Sequence, residues 1–169
     1  MIAYLCEEGL RRKLNQDGRN YWDVYIREIS EQLGLCATPL SQYEIEKGDK
    51  LRQTTTLFLG RQSGRILTDP ARKGLREWVK QGGILVGFAT EGLDDGFGIT
   101  TRHSVEQTPD DYTISGYFYL QPHRLAQGVH SFLRPDQALL IVSDIQIVDS
   151  EGSEEVARLH DRKGKDTNH

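Results

Sequence analysis

The chain lacks the features that mark several large classes of protein. Its 169 residues include two cysteines, Cys6 and Cys36, and no secretory pattern is read at its start, so no disulfide framework is implied and a reduced, cytoplasmic setting is expected. Apolar runs such as 138–142 stop far short of the roughly 20 residues that a membrane helix needs, and no membrane partner is expected. Lys and Arg number 21 against 25 Asp and Glu, a net charge of −4. That leaves no excess of cations to release counterions from nucleic acid, and no nucleic-acid partner is expected. The five histidines (His103, His123, His130, His160 and His169) form no i, i+4 pair and have no cysteine at zinc-ligand spacing, so neither metal nor cofactor is expected. One further absence is local. The stretch 82–98, GGILVGFATEGLDDGFG, runs from an apolar segment into a glycine-rich turn, as does a strand that delivers a nucleophile, yet it holds no cysteine and no serine.

The residues present read as one α/β domain over 1–160, followed by a polar tail over 161–169. Residues 2–6 form a short apolar run that suits a strand buried on both faces. After a polar stretch to about Arg19, Asn20 can cap a helix whose stripe is Trp22, Tyr25, Ile26, Ile29 and Leu33, stopped by Gly34. A second strand is expected within 36–43, at a sheet edge because Pro39 cannot donate to a ladder. Thr54–Leu59 reads as the third strand. Asp69-Pro70 opens a helix with the stripe Ala71, Leu75, Trp78 and Val79, and Gly82-Gly83 ends it before strand Ile84–Ala89. Trp22 and Trp78 are both expected in the core. This order predicts a doubly wound, flavodoxin-like parallel sheet with helices on both faces. Beyond Gly98 the period-two segments 99–105, 112–120, 138–148 and 155–159 predict β-hairpins, with a short turn near 123–128.

In such a sheet a ligand binds beyond the carboxyl ends of the strands, where the strand order reverses. The candidate crevice residues are therefore Cys6, Glu7, Glu8, Gly60, Arg61, Gln62, Thr90 and Glu91. A dinucleotide turn is missing, since Cys6-Glu-Glu-Gly9 presents carboxylates where a glycine-rich turn is required. A phospho-receiver is missing its acceptor, since the third strand ends Leu59-Gly60-Arg61. Cys6 reads as a packed small hydrophobe before it reads as a nucleophile. Glu7 and Glu8, beside Arg11, Arg12 and Lys13, read as a charge-balanced surface before a metal site. Asp94 and Asp95 read as a plain turn. Arg61 could hold a carboxylate or sugar hydroxyl, or a surface ion pair.

The order of elements, the passage 78–83 into 84–89, and the segment GYFYLQPHRLAQG over 116–128 together resemble the class I glutamine amidotransferase-like fold. Within that superfamily the chain resembles the non-amidotransferase branches, such as trehalose-utilisation-type domains and the trimerisation domains of some glycosidases. The resemblance implies a nucleophile turn Gly-x-Cys-x-Gly, where this chain reads Phe88-Ala-Thr-Glu-Gly92. It also implies a late His-x-Glu pair, where this chain has His160-Asp161-Arg162. No catalytic residue is therefore assigned, and a non-catalytic module for assembly or interaction in a larger, carbohydrate-related protein is expected. The alternative is a hydrolase combining Cys6, Glu7 or Glu8 with His103 or His123, or a small-ligand-binding crevice. Partners expected are a second copy, joined through the second half or a sheet edge, and a downstream domain of the same protein.

Overall fold

A computed structural model describes residues 1–105, 113–126, 128, 133–134, 136–150 and 152–167. The chain divides into two compact units, Met1–Gly96 and Phe97–His169. The first is a mixed α/β unit built on a four-stranded parallel sheet flanked by helices. Its strands are β1 (Ile2–Leu5), β2 (Thr38–Leu40), β3 (Thr56–Leu59) and β4 (Ile84–Gly87), in the order β2-β1-β3-β4. Register pairs Tyr4 with both Pro39 and Phe58, and Phe58 with Val86. β1 buries Ala3, Tyr4 and Leu5 in succession, as a strand covered on both faces must. β2 lies at the edge, where Pro39 is tolerated.

The helices of this unit are α1 (Glu8–Gln16), α2 (Val24–Gln32), α3 (Gln42–Lys47), α4 (Asp49–Arg52), α5 (Ser63–Ile66), α6 (Asp69–Lys80) and α7 (Asp94–Phe97), the last reaching into the second unit. α6 follows its stripe, with Ala71, Leu75 and Trp78 buried. Its cap is Thr68, one residue before the expected Asp69, and the Thr68 hydroxyl accepts the Ala71 N–H at 3.3 Å. The indole of Trp78 donates to Thr54 O at 3.1 Å. A side chain on Gly83 would meet the ring, because its Cβ would lie 2.3 Å from the indole. This close approach explains the second glycine of the Gly82-Gly83 pair.

Four local expectations are corrected. The polar stretch after β1 is a helix, α1, held by Leu14 on its inner side. The strand expected over 36–43 is cut to three residues because Ser41 starts α3. There Ser41 accepts the Glu44 N–H and the Glu44 carboxylate accepts the Ser41 N–H, a reciprocal capping box. Asp94 and Asp95 open one turn of helix rather than a plain turn. The largest departure is α2, which begins after Asp23 instead of Asn20. Its buried face is Ile26 and Ser30, whereas Trp22, Tyr25, Ile29 and Leu33 are exposed. The Ser30 hydroxyl donates to Ile26 O at 2.7 Å, which removes the cost of turning a serine inward.

The second unit is antiparallel. β5 (Ile99–Val105) pairs with β8 (Ile145–Ser150), with an irregularity at Arg102, and β6 (Gly116–Leu120) lies between β7 (Leu139–Ile141) and β9 (Ala157–His160). A 3-10 turn spans Arg124–Ala126, inside the expected 123–128. The run 138–148 is two strands in different sheets, broken at Ser143-Asp144, and β5 pairs with β8 instead of its sequence neighbour. Tyr112, expected to begin a strand, lies outside the described residues. Among the described residues no helix is long and apolar enough to cross a membrane.

Candidate functional site

The chain runs from β1 out to β2, then crosses back to β3 on the far side of β1. The strand order therefore reverses between β1 and β3, and the crevice lies at their carboxyl ends. Leu5 and Leu59 are fully buried, and the turns Cys6-Glu7 and Gly60-Arg61-Gln62 leave from them toward α1 and α5.

The residue that meets this point most closely is Asp23, at the start of α2. A Cβ on Gly60 would lie 1.7 Å from Asp23 Oδ1, so the Asp23 carboxyl packs directly on the backbone that ends β3. Asp23 is 1% exposed and neither carboxyl oxygen has a hydrogen-bond partner. Burial pushes its pKa up to about 6, against the opposing pull of the backbone amides of Asp23 and Gly60, which lie near without hydrogen-bond geometry. Tyr21 is buried beside it, and its hydroxyl accepts the Glu7 N–H at 2.9 Å. Burial raises this phenol, and the Asp23 charge adds to the effect. Ser63, the first residue of α5, is fully buried with its hydroxyl unpartnered. Its N–H donates to Gly60 O at 3.1 Å.

The eight residues expected in the crevice divide into groups. Cys6, Glu7 and Gly60 reach the switch point. Glu7 accepts the Gln42 N–H and so caps α3. Glu8 instead pairs with Arg11 along α1, at 2.6 and 2.9 Å, and that contact holds its carboxyl below the usual range. Arg61 and Glu91 are brought together: Arg61 Nε donates to Glu91 at 3.0 Å, and Arg65 reaches the other Glu91 oxygen at 3.1 Å. Gln62 precedes α5, its carbonyl accepting the N–H groups of Arg65 and Ile66. Thr90 is buried. Arg72 joins the two turns further by donating to the carbonyls of Leu67, Gly64 and Gly92. In the turn after β4, Ala89 holds φ at 48°, a left-handed value uncommon for a residue with a side chain.

Asp23, Tyr21 and Ser63 are absent from the sequence-based site. A signal for Asp23 exists, because it shares the i, i+3, i+7 phase of Ile26 and Ser30, the face that turns inward. Cys6 is half-buried, and its thiol is pushed up by burial first and by the Glu8 carboxylate next. The exposed Cys36 is therefore expected to react with iodoacetamide at neutral pH several-fold faster than Cys6, as read by peptide mass mapping over time. Equal or faster labelling of Cys6 would show an activated thiol.

In the second unit, His123 Nε2 lies 2.6 Å from Glu154 and its Nδ1 accepts the Leu125 N–H at 3.1 Å, so the ring is held on both sides. His103 lies on β5 and is exposed. Among the described residues no three His, Cys, Asp or Glu side chains are grouped to hold a metal ion. Set against protein-family models, curated proteins and solved structures, the chain matches none of them.

Proposed function

We propose that the chain is a non-catalytic, amidotransferase-like module, with a flavodoxin-like three-layer core, that serves assembly by pairing with a second copy through α2. The exposed face of that helix carries the reading. Trp22 is 55%, Ile29 53% and Leu33 68% exposed, with Tyr25 beside Trp22 at 5.3 Å between ring centroids. Contiguous apolar surface of this kind marks association sites in soluble proteins. The face is also self-complementary. A two-fold axis across the middle of the helix, with the helices antiparallel, sets Trp22 of one copy on Leu33 of the other.

The non-catalytic half rests on how the crevice's charges are spent. Glu91 is held by Arg61 and Arg65, Glu7 caps α3, and Glu8 pairs with Arg11. The turn after β4 offers Ala89-Thr90-Glu91, without a cysteine.

Light scattering across a concentration series is expected to give twice the chain mass of 19.2 kDa. The double variant Ile29→Glu, Leu33→Glu is expected to return the single-chain mass with unchanged circular dichroism, since both side chains lie outside the core. Glutamine is expected to release no ammonia. A mass that stays at 19.2 kDa, or a dimer that survives the double variant, would sink the α2 pairing. Glutaminase activity that scales with protein would sink the non-catalytic reading separately.

A further inference from the structure

The second unit carries an open-mouthed pocket of about 300 Å³, near the lower end of the size range of small-molecule sites. Ile145, Ile147 and Leu159 give it an apolar wall. Ser115 lines it too, and this side chain is 4% exposed with its hydroxyl unpartnered. A buried hydroxyl without a partner is costly, and one that lines a cavity is satisfied when a ligand brings a polar group to it. The other polar groups on the lining are already engaged or at the surface. The Thr167 hydroxyl donates to Leu159 O at 2.8 Å, and His160 Nδ1 faces Gly164 O at 3.0 Å. The Asp161 carboxylate accepts the N–H groups of Lys163 and Lys165 at 2.8 and 2.9 Å.

The lining has a polarity gradient. Ser115 is at its buried end, whereas Arg162 and Lys163 are exposed, and among the described residues neither forms an ion pair. Asp161 is held by the backbone N–H groups of Lys163 and Lys165 and by the Lys163 charge, and Arg162 adds a second cation to the lining. From this arrangement we infer that the cavity binds a small amphiphilic acid: an apolar body against Ile145, Ile147 and Leu159, an anionic group at the mouth beside Arg162 and Lys163, and a hydroxyl or carbonyl at the buried end on Ser115. Burying the body supplies most of the affinity, while the two ends fix orientation and charge selectivity.

The probe is 4-hydroxyphenylacetate, added to the full chain and followed by methyl resonances of Ile145, Ile147 and Leu159. Saturable shifts at these methyls are expected, with a Kd of about 0.1–1 mM for a ligand of this size. Phenylacetate, lacking the hydroxyl, is expected to bind about fivefold more weakly, and that difference is expected to vanish in Ser115→Ala. The neutral amide, 4-hydroxyphenylacetamide, is expected to bind several-fold more weakly than the acid. That preference is lost in the pair Arg162→Gln, Lys163→Gln and weakens with added salt. Both variants keep the fold, because one removes an unpartnered hydroxyl and the other changes exposed side chains. Unmoved methyls at saturating probe would overturn the site. Equal binding of acid and amide would overturn the anionic class, and a hydroxyl preference that survives Ser115→Ala would overturn the role of Ser115.

Discussion

Gly64→Ala is expected to destabilise the chain by about 3 kcal/mol or more, at the upper end of what overpacking does. The new Cβ would stand 1.5 Å from the carbonyl oxygen of Glu91 and 2.7 Å from its carbonyl carbon. Both atoms are backbone, so no rotamer change relieves the contact. Nor can the turn after β4 swing away, because Arg61 and Arg65 hold Glu91 and Arg72 holds the Gly92 carbonyl. The alternative is to pull α5 off that turn and open the buried shell around Ser63 and Leu67. Gly74→Ala is the control. It lies within α6 with nothing within 4 Å of a new Cβ, and it is expected to gain roughly 0.5–1 kcal/mol from helix propensity. Urea unfolding followed by circular dichroism reads both. A Gly64→Ala midpoint equal to that of the parent would refute the packing described for these two turns.

The second large effect belongs to Asp23 and is a dependence on pH. Its folded pKa is raised from 3.8 to about 6, so the native state holds this proton more tightly than the unfolded chain does. Between those two values the native state binds more protons, and its contribution to stability falls as pH rises, levelling once the group is ionised in both states. The full change is on the order of 3 kcal/mol. Glu44 and Asp161, whose carboxyls are held low by Lys50 and by backbone N–H groups respectively, act in the opposite direction. The useful quantity is therefore the difference between parent and Asp23→Asn. The variant is expected to gain on the parent steadily from about pH 4 to about pH 7 and to be the more stable protein above that. A constant difference across this range would mean that Asp23 is solvated or paired in the folded chain.

The parts of this fold that are legible from sequence are those in which neighbouring residues decide the outcome. Short apolar runs mark β1, β3 and β4, with glycine after β3 and before β4, Pro39 marks the edge, and the α6 stripe matches the face that is buried. The capping box Ser41-x-x-Glu44 is equally local, yet the composition of 36–43 reads as strand, and the helix α3 that it starts is missed there. α2 shows where such reading stops. Periodicity reveals that Trp22, Tyr25, Ile29 and Leu33 share a face, but which face turns inward depends on what β1 and β3 present, and there the helix is seated by Asp23, Ile26 and Ser30. The candidate site is opaque for the same reason. Cys6, Glu7 and Gly60 follow from the strand ends, whereas Asp23 reaches the crevice only because Gly60 leaves room for a carboxyl. The β5–β8 pairing joins segments about forty residues apart, a partnership that alternation within either strand does not encode.

The edge strand β2 has a consequence for how sheets of this protein can grow. Leu40 O accepts the Cys6 N–H, so Leu40, and with it Thr38, points its backbone groups toward β1. Pro39, between them, faces outward, where it offers a carbonyl and no donor. A strand arriving at that side finds a three-residue template with its central N–H missing. In the sheet of the first unit only β4 remains able to take an added strand. Two copies joined there would leave a β2 on each outer side, so the ladder terminates after one addition. Growth of this one sheet by strand addition, the usual hazard of an open edge, is thereby limited to a pair.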